Sequence, residues 1–310
     1  MNAVDESWML AKKRDALGRR AGMIQAIRRF FCDRNYLEIE TPVRIPAPAP
    51  EEYIDAVPSG DWFLQTSPEL CMKRLLAAGY ASLFQISKCF RDAEHGSLHL
   101  PEFTMLEWYR RGCDYQALMR ECEELILFIS EALNHTDVLF YQGRKIALRL
   151  PWERISVDDA FARHASLSVE EALERDCFDE IMTARIEPCL GNGRPVFLYD
   201  YPVARGALAR AKRSDPLLAE RFELYIGGLE LANAFSELTD EKEQRARFEK
   251  ARHTRRENGK TAYPLPEPFL KSLQQMPDAA GIALGVDRLA MLFTDAASID
   301  DIVAFTPETL

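Results

Sequence analysis

The chain has 310 residues, 47% of them apolar, with 39 Lys and Arg against 49 Asp and Glu for a formal net charge of −10. That length and apolar content allow one large domain or two ordinary ones around a substantial core. The acid excess argues against a surface that tracks a nucleic-acid backbone, because such binding depends on Lys and Arg displacing counterions. Seven scattered cysteines (Cys32, Cys71, Cys89, Cys113, Cys122, Cys177 and Cys189) form no Cys-x-x-Cys pair and read as reduced thiols. The first residues, MNAVDESWML, lack the basic-then-apolar pattern of a signal sequence, and no apolar run reaches the ~18 residues that cross a bilayer. The expectation is a soluble, cytoplasmic protein with no membrane partner.

In chain order, residues 19–34 place Met23, Ile24, Ile27, Phe30 and Phe31 at helical spacing with arginines opposite, which predicts an amphipathic helix. Leu37 and Ile39 alternate as a short strand that Thr41-Pro42 stops. Pro46, Pro48 and Pro50 predict an extended, exposed connector. FQISKCFR (84–91) and EFTMLEWY (102–109) read as a hairpin joined by the turn-rich EHGSLHLP. Residues 114–133 predict a second amphipathic helix, with Asp114 as cap and Leu118, Cys122, Leu125, Ile126 and Ile129 on one face. Residues 134–200 mix short strands and helices without a motif. Residues 221–239 predict two strands, and 241–258 a charged helix with Asp240 as N-cap, Glu243 three positions on, and Gly259 as terminator. GIALGVDRLAMLF (281–293) is a glycine-punctuated strand running into a helix. Strand runs separated by helices, without regular βαβ alternation, predict an α+β fold: an antiparallel sheet flanked by helices.

Two of these stretches carry chemistry. An arginine leaving the first hairpin strand faces a phenylalanine entering the second, which suits a nucleotide, with Arg91 for a phosphate and Phe103 under a base; a solvated charged loop accounts for the same residues. In GIALGVDRL, Gly281, Ala283 and Gly285 fall on one strand face, so that something can approach the backbone closely. Arg288 follows at the start of the helix, able to meet a phosphate or cover a base, and tight helix–sheet packing is the other reading of those glycines. Cys89, His95 and His99 lack a fourth ligand for zinc.

Together with residues 19–42, these stretches resemble, in order, the three signature motifs of class II aminoacyl-tRNA synthetases. Motif 1 (about 19–42) is a long helix, a strand and Pro42; motif 2 (about 84–109) is Phe-Arg, then His, then Phe; motif 3 (about 281–293) is the glycine-rich strand with its arginine. TSPEL (66–70), LPEFTMLEWY (100–109), RFELYIGGLELANAFSELTD (221–240) and GIALGVDRLAMLF are similar to the catalytic domain of lysyl-tRNA synthetases. Those synthetases place an anticodon-binding barrel ahead of it, whereas motif 1 begins near residue 19 here. A single catalytic domain over 1–310 resembles instead the elongation factor P–(R)-β-lysine ligase family, and CMKRLLAAGY, EFTMLEWYR, GLELAN and GIALGVDRL all fit it.

The resemblance implies ATP and Mg2+, (R)-β-lysine or lysine as substrate, elongation factor P as protein acceptor rather than tRNA, and a homodimer formed through motif 1. Two other readings stay open: a truncated lysyl-tRNA synthetase paralogue aminoacylating a tRNA or a small molecule, and a non-catalytic regulatory paralogue. For the first reaction, a carboxylate attacks the α-phosphate of ATP; the nucleophile is already an anion, so catalysis is positioning and charge neutralisation.

By the resemblance, Arg91 holds the α-phosphate and carboxylate, and Arg288 the γ-phosphate. Phe103 and Arg288 sandwich adenine, and His99 lies near the triphosphate. Glu223 and Glu230 are the magnesium candidates: a two-residue turn at Gly227-Gly228 would set Glu230 opposite Tyr225 and diagonal to Glu223. Asn233, Phe235 and Glu237 share a strand face by period two. Glu237 is assigned to the distal ammonium with Glu107 and Tyr109 assisting, and Glu69 to the other amino group; Glu69 is also read as the acid of a helix start with Pro68 at its first position.

Three positions depart from the synthetase pattern. Ala93 stands where motif 2 usually has the Glu that reaches adenine, and Glu94, one position later, is the ATP-binding candidate to replace it, the alternative being that this contact is missing; Ser97 and Leu98 replace a basic residue in the loop; Ala283 replaces a glycine, a methyl expected to separate a β-amino acid from an α-amino acid. Ser236 is synthetase-like.

Overall fold

The computed structural model describes residue 8, residues 10–135 and residues 137–310. The first seven residues, on which the reading of the N-terminal segment rests, lie outside the described residues.

The first helix, α1 (Arg14–Cys32), buries Met23, Ala26, Ile27, Phe30 and Phe31, one stripe at steps of three and four. It starts five residues before the apolar pattern does, because its first turns are polar and held by an exposed Asp15–Arg19 pair at 3.0 Å. After strand β1 (Leu37–Glu38) come α2 (Glu69–Ala77), β2 (Ser82–Phe90), β3 (Glu102–Arg111) and α3 (Tyr115–Ala132). Asp114 caps α3 by accepting from the Ala117 amide, as its sequence predicts. Pro68 is the N-cap of α2 and not its first residue.

Residues 138–190 form an excursion with its own small core, where the Phe161 and Phe178 rings stack at 5.2 Å. Strands β4 (Glu153–Ser156) and β5 (Val196–Pro202) tie it to the main sheet. The chain continues through β6 (Asp215–Ile226), β7 (Leu229–Ser236), α4 (Glu241–Glu257), β8 (Ala279–Gly285) and α5 (Val286–Thr294). Asp240 caps α4 with bonds from the Lys242 and Glu243 amides, whereas Glu243 turns away to Arg247.

The main sheet runs β1-β2-β3-β8-β7-β6-β5-β4. Its central pairs are antiparallel, and only the outermost, β1–β2 and β4–β5, are parallel. Helices α1, α3 and α5 cover one face and enclose the main core with Leu106, Trp108, Ala280, Ile282 and Leu284. Because side chains alternate along a strand, the intervening residues Glu107, Tyr109, Gly281 and Ala283 fall on the other face, where they line a cavity. The expected α+β sheet flanked by helices is therefore present.

The turn between β6 and β7 is Gly227-Gly228, both with positive φ (65° and 81°), and it pairs Tyr225 with Glu230. Gly227 has a second reason to be glycine: an added Cβ would lie 2.9 Å from Tyr141 and 3.0 Å from Ile146, which belong to the 138–147 hairpin. The proline connector differs from its expectation. Residues 47–50 are irregular, but Pro48, Ala49 and Pro50 are buried, with Ala49 in a core cluster alongside Phe248 of α4.

Candidate active site

The cavity has a volume of about 660 Å³ and extends from α2 and β3 at one end to Arg288 and the loop after β2 at the other. Arg91, Glu94, His99, Phe103, Glu223, Glu230, Asn233, Phe235 and Ala283 all line it, together with Glu69, Glu107 and Tyr109. Glu237 is the exception: it does not line the cavity, and its carboxylate is fully buried beside Gly281 and Tyr109, paired with Lys73. A Cβ on Gly281 would lie 2.5 Å from the Glu237 carboxylate and collide with the Tyr109 ring. What approaches the glycine face at this position is thus the protein's own Tyr109 and Glu237.

The end at α2 and β3 is dense in charge. Lys73, one turn after Glu69 on α2, sends a buried ammonium between the carboxylates of Glu69 and Glu237. Burial pulls that ammonium down, but the charges of Glu237 and then Glu69 outweigh it and hold Lys73 above its ordinary value. Burial pushes the Glu237 carboxyl up to about 8, with Lys73 opposing. Apart from that ammonium, neither Glu237 oxygen has a hydrogen-bond donor among the described residues. Glu107 accepts from the Ser67 hydroxyl at 2.6 Å and from the Tyr109 hydroxyl at 2.7 Å. It is pushed up to about 7, by burial first and by Glu69 second. Ser236, between Phe235 and Glu237, faces the opposite side and accepts from the Tyr115 amide at 3.0 Å.

At the other end the cations are only partly buried. Arg91 lies 5.1 Å from the Phe103 ring centroid and 3.6 Å from Glu94, and its buried Nε has no acceptor among the described residues. Ala93 adopts a left-handed φ of 60°, which swings Glu94 back toward Arg91. Arg288 donates to the Glu230 carbonyl at 2.8 Å and approaches the Glu230 carboxylate at 3.3 Å. It also donates to His99 Nε2 at 2.5 Å; since Arg offers only donors, that ring nitrogen is the acceptor. Burial, then the Arg288 charge, depresses the His99 pKa, which fits a neutral ring. Phe103 is covered by Arg91, not by Arg288.

Glu223 accepts from Tyr201 (2.6 Å), Tyr225 (2.7 Å) and Arg221 (2.7 Å). Arg221 also reaches Asn233 at 3.1 Å. Burial and the Glu223 charge raise Glu230, with Arg288 opposing. Glu187, from the excursion, is pushed up to about 7 by burial and then by Glu223 and Glu230. Among the described residues no three His, Cys, Asp or Glu side chains are arranged as a metal cage. A magnesium ion needs only one or two carboxylates when phosphates supply the rest, and Glu223 and Glu230 each keep acceptor capacity, so the pair fits one.

Three features escape sequence reasoning. Arg221 and Lys73 are visible as partners only by spacing, two residues from Glu223 and four from Glu69. The third is a clamp on residues 50–56. Arg255 of α4 is fully buried and donates to the carbonyls of Glu51 (2.8 Å), Ile54 (2.9 Å) and Thr261 (2.6 Å), and to the Asp55 carboxylate (2.6 Å). Lys260 adds a bond to Asp55 at 2.9 Å, and the Ala56 amide donates to Tyr263 at 2.7 Å. This clamp sets Pro50 and Glu51 in the cavity wall. A last network joins the three motif segments: Asp287 accepts from Arg20 of α1 at 2.5 Å and from the Thr104 amide at 2.6 Å.

The family of class II tRNA synthetases (D, K and N) matches residues 7–309. The elongation factor P–(R)-β-lysine ligase of Pectobacterium atrosepticum is 38% identical over 320 residues, covering 97% of this chain and 98% of that protein. The ligases of the same name from Pectobacterium carotovorum and Edwardsiella ictaluri are 39% and 38% identical, each over 97% of this chain.

Proposed function

The chain belongs to the class II tRNA synthetases and, within them, to the elongation factor P–(R)-β-lysine ligases, and on that premise we propose how its cavity works. It is an ATP-using ligase that activates (R)-β-lysine as the adenylate and transfers it to a lysine side chain of elongation factor P. The observation that carries the substrate reading is a charge count. Three carboxylates, Glu69, Glu107 and Glu237, share the amino-acid end with one ion-paired cation, Lys73, among the described residues. When all are ionised, two negative charges remain, which matches the two ammonium groups of a diamino acid. An uncompensated buried charge costs several kcal/mol, roughly 3–5, so an amino acid with a neutral side chain is rejected.

The substrate carboxylate meets Arg91, whose Nε is free to donate, while Glu69 takes the near amino group and Glu237 the distal one. Phe103 stacks adenine, with Arg288 leaving His99 to close the other side and meet the γ-phosphate. Glu223 and Glu230 would hold a magnesium ion, which would supply neutralisation of phosphate charge. The Ala283 methyl sits at the pocket floor, where it sets the distance of the amino group from the carboxylate. We also place a homodimer contact at α1 and β1, where Leu37 is exposed at 48%, and the site of action in the cytoplasm. No helix among the described residues is long and apolar enough to cross a membrane.

Amino-acid-dependent pyrophosphate exchange tests the reading. Exchange is expected with (R)-β-lysine, more weakly with α-lysine, and not with leucine or glutamate. Intact-mass measurement of elongation factor P after incubation then reads the transfer. No exchange with either lysine isomer would falsify the proposal.

A further inference from the structure

The transfer half of this reaction needs something the activation half does not. An acceptor lysine is an ammonium at neutral pH, with only about four molecules in ten thousand neutral given its usual pKa near 10.4, and only the neutral amine attacks. Most carboxylates around the cavity are already committed: Glu69 and Glu237 to Lys73, Glu107 to Ser67 and Tyr109, Glu223 to its two tyrosines and Arg221, Glu230 to Arg288, Glu94 to Arg91. Among the described residues, Glu51, Glu52 and Glu187 line the cavity with no hydrogen bond or ion pair on their carboxylates. Glu187 faces Glu223 and Glu230 at the polyphosphate end, and Glu52 counts among the charges around the exposed Tyr53 at the rim.

Glu51 is placed differently. Its strongest charge neighbours are Arg91, then Glu69, then Arg221 and Glu94. The first two are the groups that grip the two sides of the reacting carbon, the carboxylate and the adjacent amino group. Its main chain is held by Arg255, a buried guanidinium bonded to its carbonyl at 2.8 Å.

We propose that Glu51 is the proton acceptor for the incoming lysine, a role in transfer and not in activation. This inference rests on the acyl-transfer reading above. The ammonium gives one proton to the Glu51 carboxylate; the freed lone pair forms the N–C bond to the adenylate carbonyl; the C–O bond to phosphate breaks, and AMP leaves with that electron pair. The nitrogen sheds its second proton to a phosphate oxygen of the departing AMP or to water, which completes the amide. The acid–base poise agrees: burial pushes the Glu51 carboxyl up to about 7, Glu69 and Glu94 adding to the rise and Arg91 and Arg221 opposing it. A base is most effective near the working pH.

The test uses the full chain with Glu51→Gln and Glu51→Asp. Lysine-dependent pyrophosphate exchange, and trapping of the adenylate by hydroxylamine, an amine already neutral at pH 7, are expected within about threefold of the parent. Single-turnover transfer to elongation factor P is expected to fall by roughly a hundredfold or more in Glu51→Gln, the lower end for a lost general base, and to recover in part in Glu51→Asp. The parent transfer rate should level off above about pH 7, whereas that of Glu51→Gln should keep climbing toward the lysine pKa. Unchanged transfer, or exchange and transfer falling together in both variants, overturns the role. Absence of exchange in the parent overturns the ligase reading, and this inference with it.

Discussion

The two ends of the cavity follow opposite plans. At the amino-acid end, charged groups are buried and answered by one another: Lys73 by Glu69 and Glu237, Glu107 by Ser67 and Tyr109. At the nucleotide end, the cations are half-buried and hold stand-ins, Arg91 resting on Phe103 and Arg288 on His99 and Glu230. On the proposed reading the deep end selects by charge through groups already paired, and the outer end meets ATP through its two arginines, so selectivity for lysine and capture of ATP draw on separate sets of contacts.

Breaking one end should spare the other. Glu237→Gln leaves Lys73 and the distal ammonium sharing too little negative charge; at about 3–5 kcal/mol, lysine-dependent kcat/KM falls by roughly a thousandfold while ATP binding by calorimetry is unchanged. Unaltered lysine kinetics would remove Glu237 from the pocket. Arg288→Ala is the mirror experiment. It removes a charge-assisted contact worth about 1.5–3 kcal/mol and should raise the KM for ATP by roughly ten- to a hundredfold, with the KM for lysine constant.

Acidity separates the ends without mutation. Glu237 and Glu107 are raised to about 8 and about 7 in the free pocket, so below those values they carry protons that a dicationic substrate must expel. Lysine affinity should therefore rise as pH rises through 7 to 8, by up to about tenfold per pH unit per proton. His99 is depressed and stays neutral there, but Glu187 at the polyphosphate end is raised to about 7 and gains a negative charge over the same range, so the KM for ATP should rise while lysine affinity improves; slopes of the same sign would join the two ends. The smallest effect is Ala283→Gly, which should shift preference toward α-lysine by about fourfold, the worth of one methylene. An unchanged isomer ratio would show that the methyl does not set the register of the substrate.

How much of this was legible follows from the range over which each feature is specified. Period-two alternation and the Gly-Gly turn are local, so the cavity face of β7 and the Tyr225–Glu230 pairing could be read directly. One residue was added where no local rule asks for it: the register shifts between Leu224 and Tyr225. The Arg255 clamp was invisible because its partner Glu51 lies 204 positions away. The same distance explains why the proline stretch read as exposed, since its composition cannot announce that α4 will cover it. Motif 2 was a mixed case. Ala93 was recognisable as a departure, but only backbone geometry reveals the left-handed turn that returns Glu94 to Arg91.

The Asp287 carboxylate stands next to Arg288 in the chain and binds the amide of Thr104, the neighbour of Phe103, while holding Arg20 of a helix from the far end of the sequence. It makes the three motif segments interdependent in inheritance: a drift at residue 20, 104 or 287 is felt by the other two.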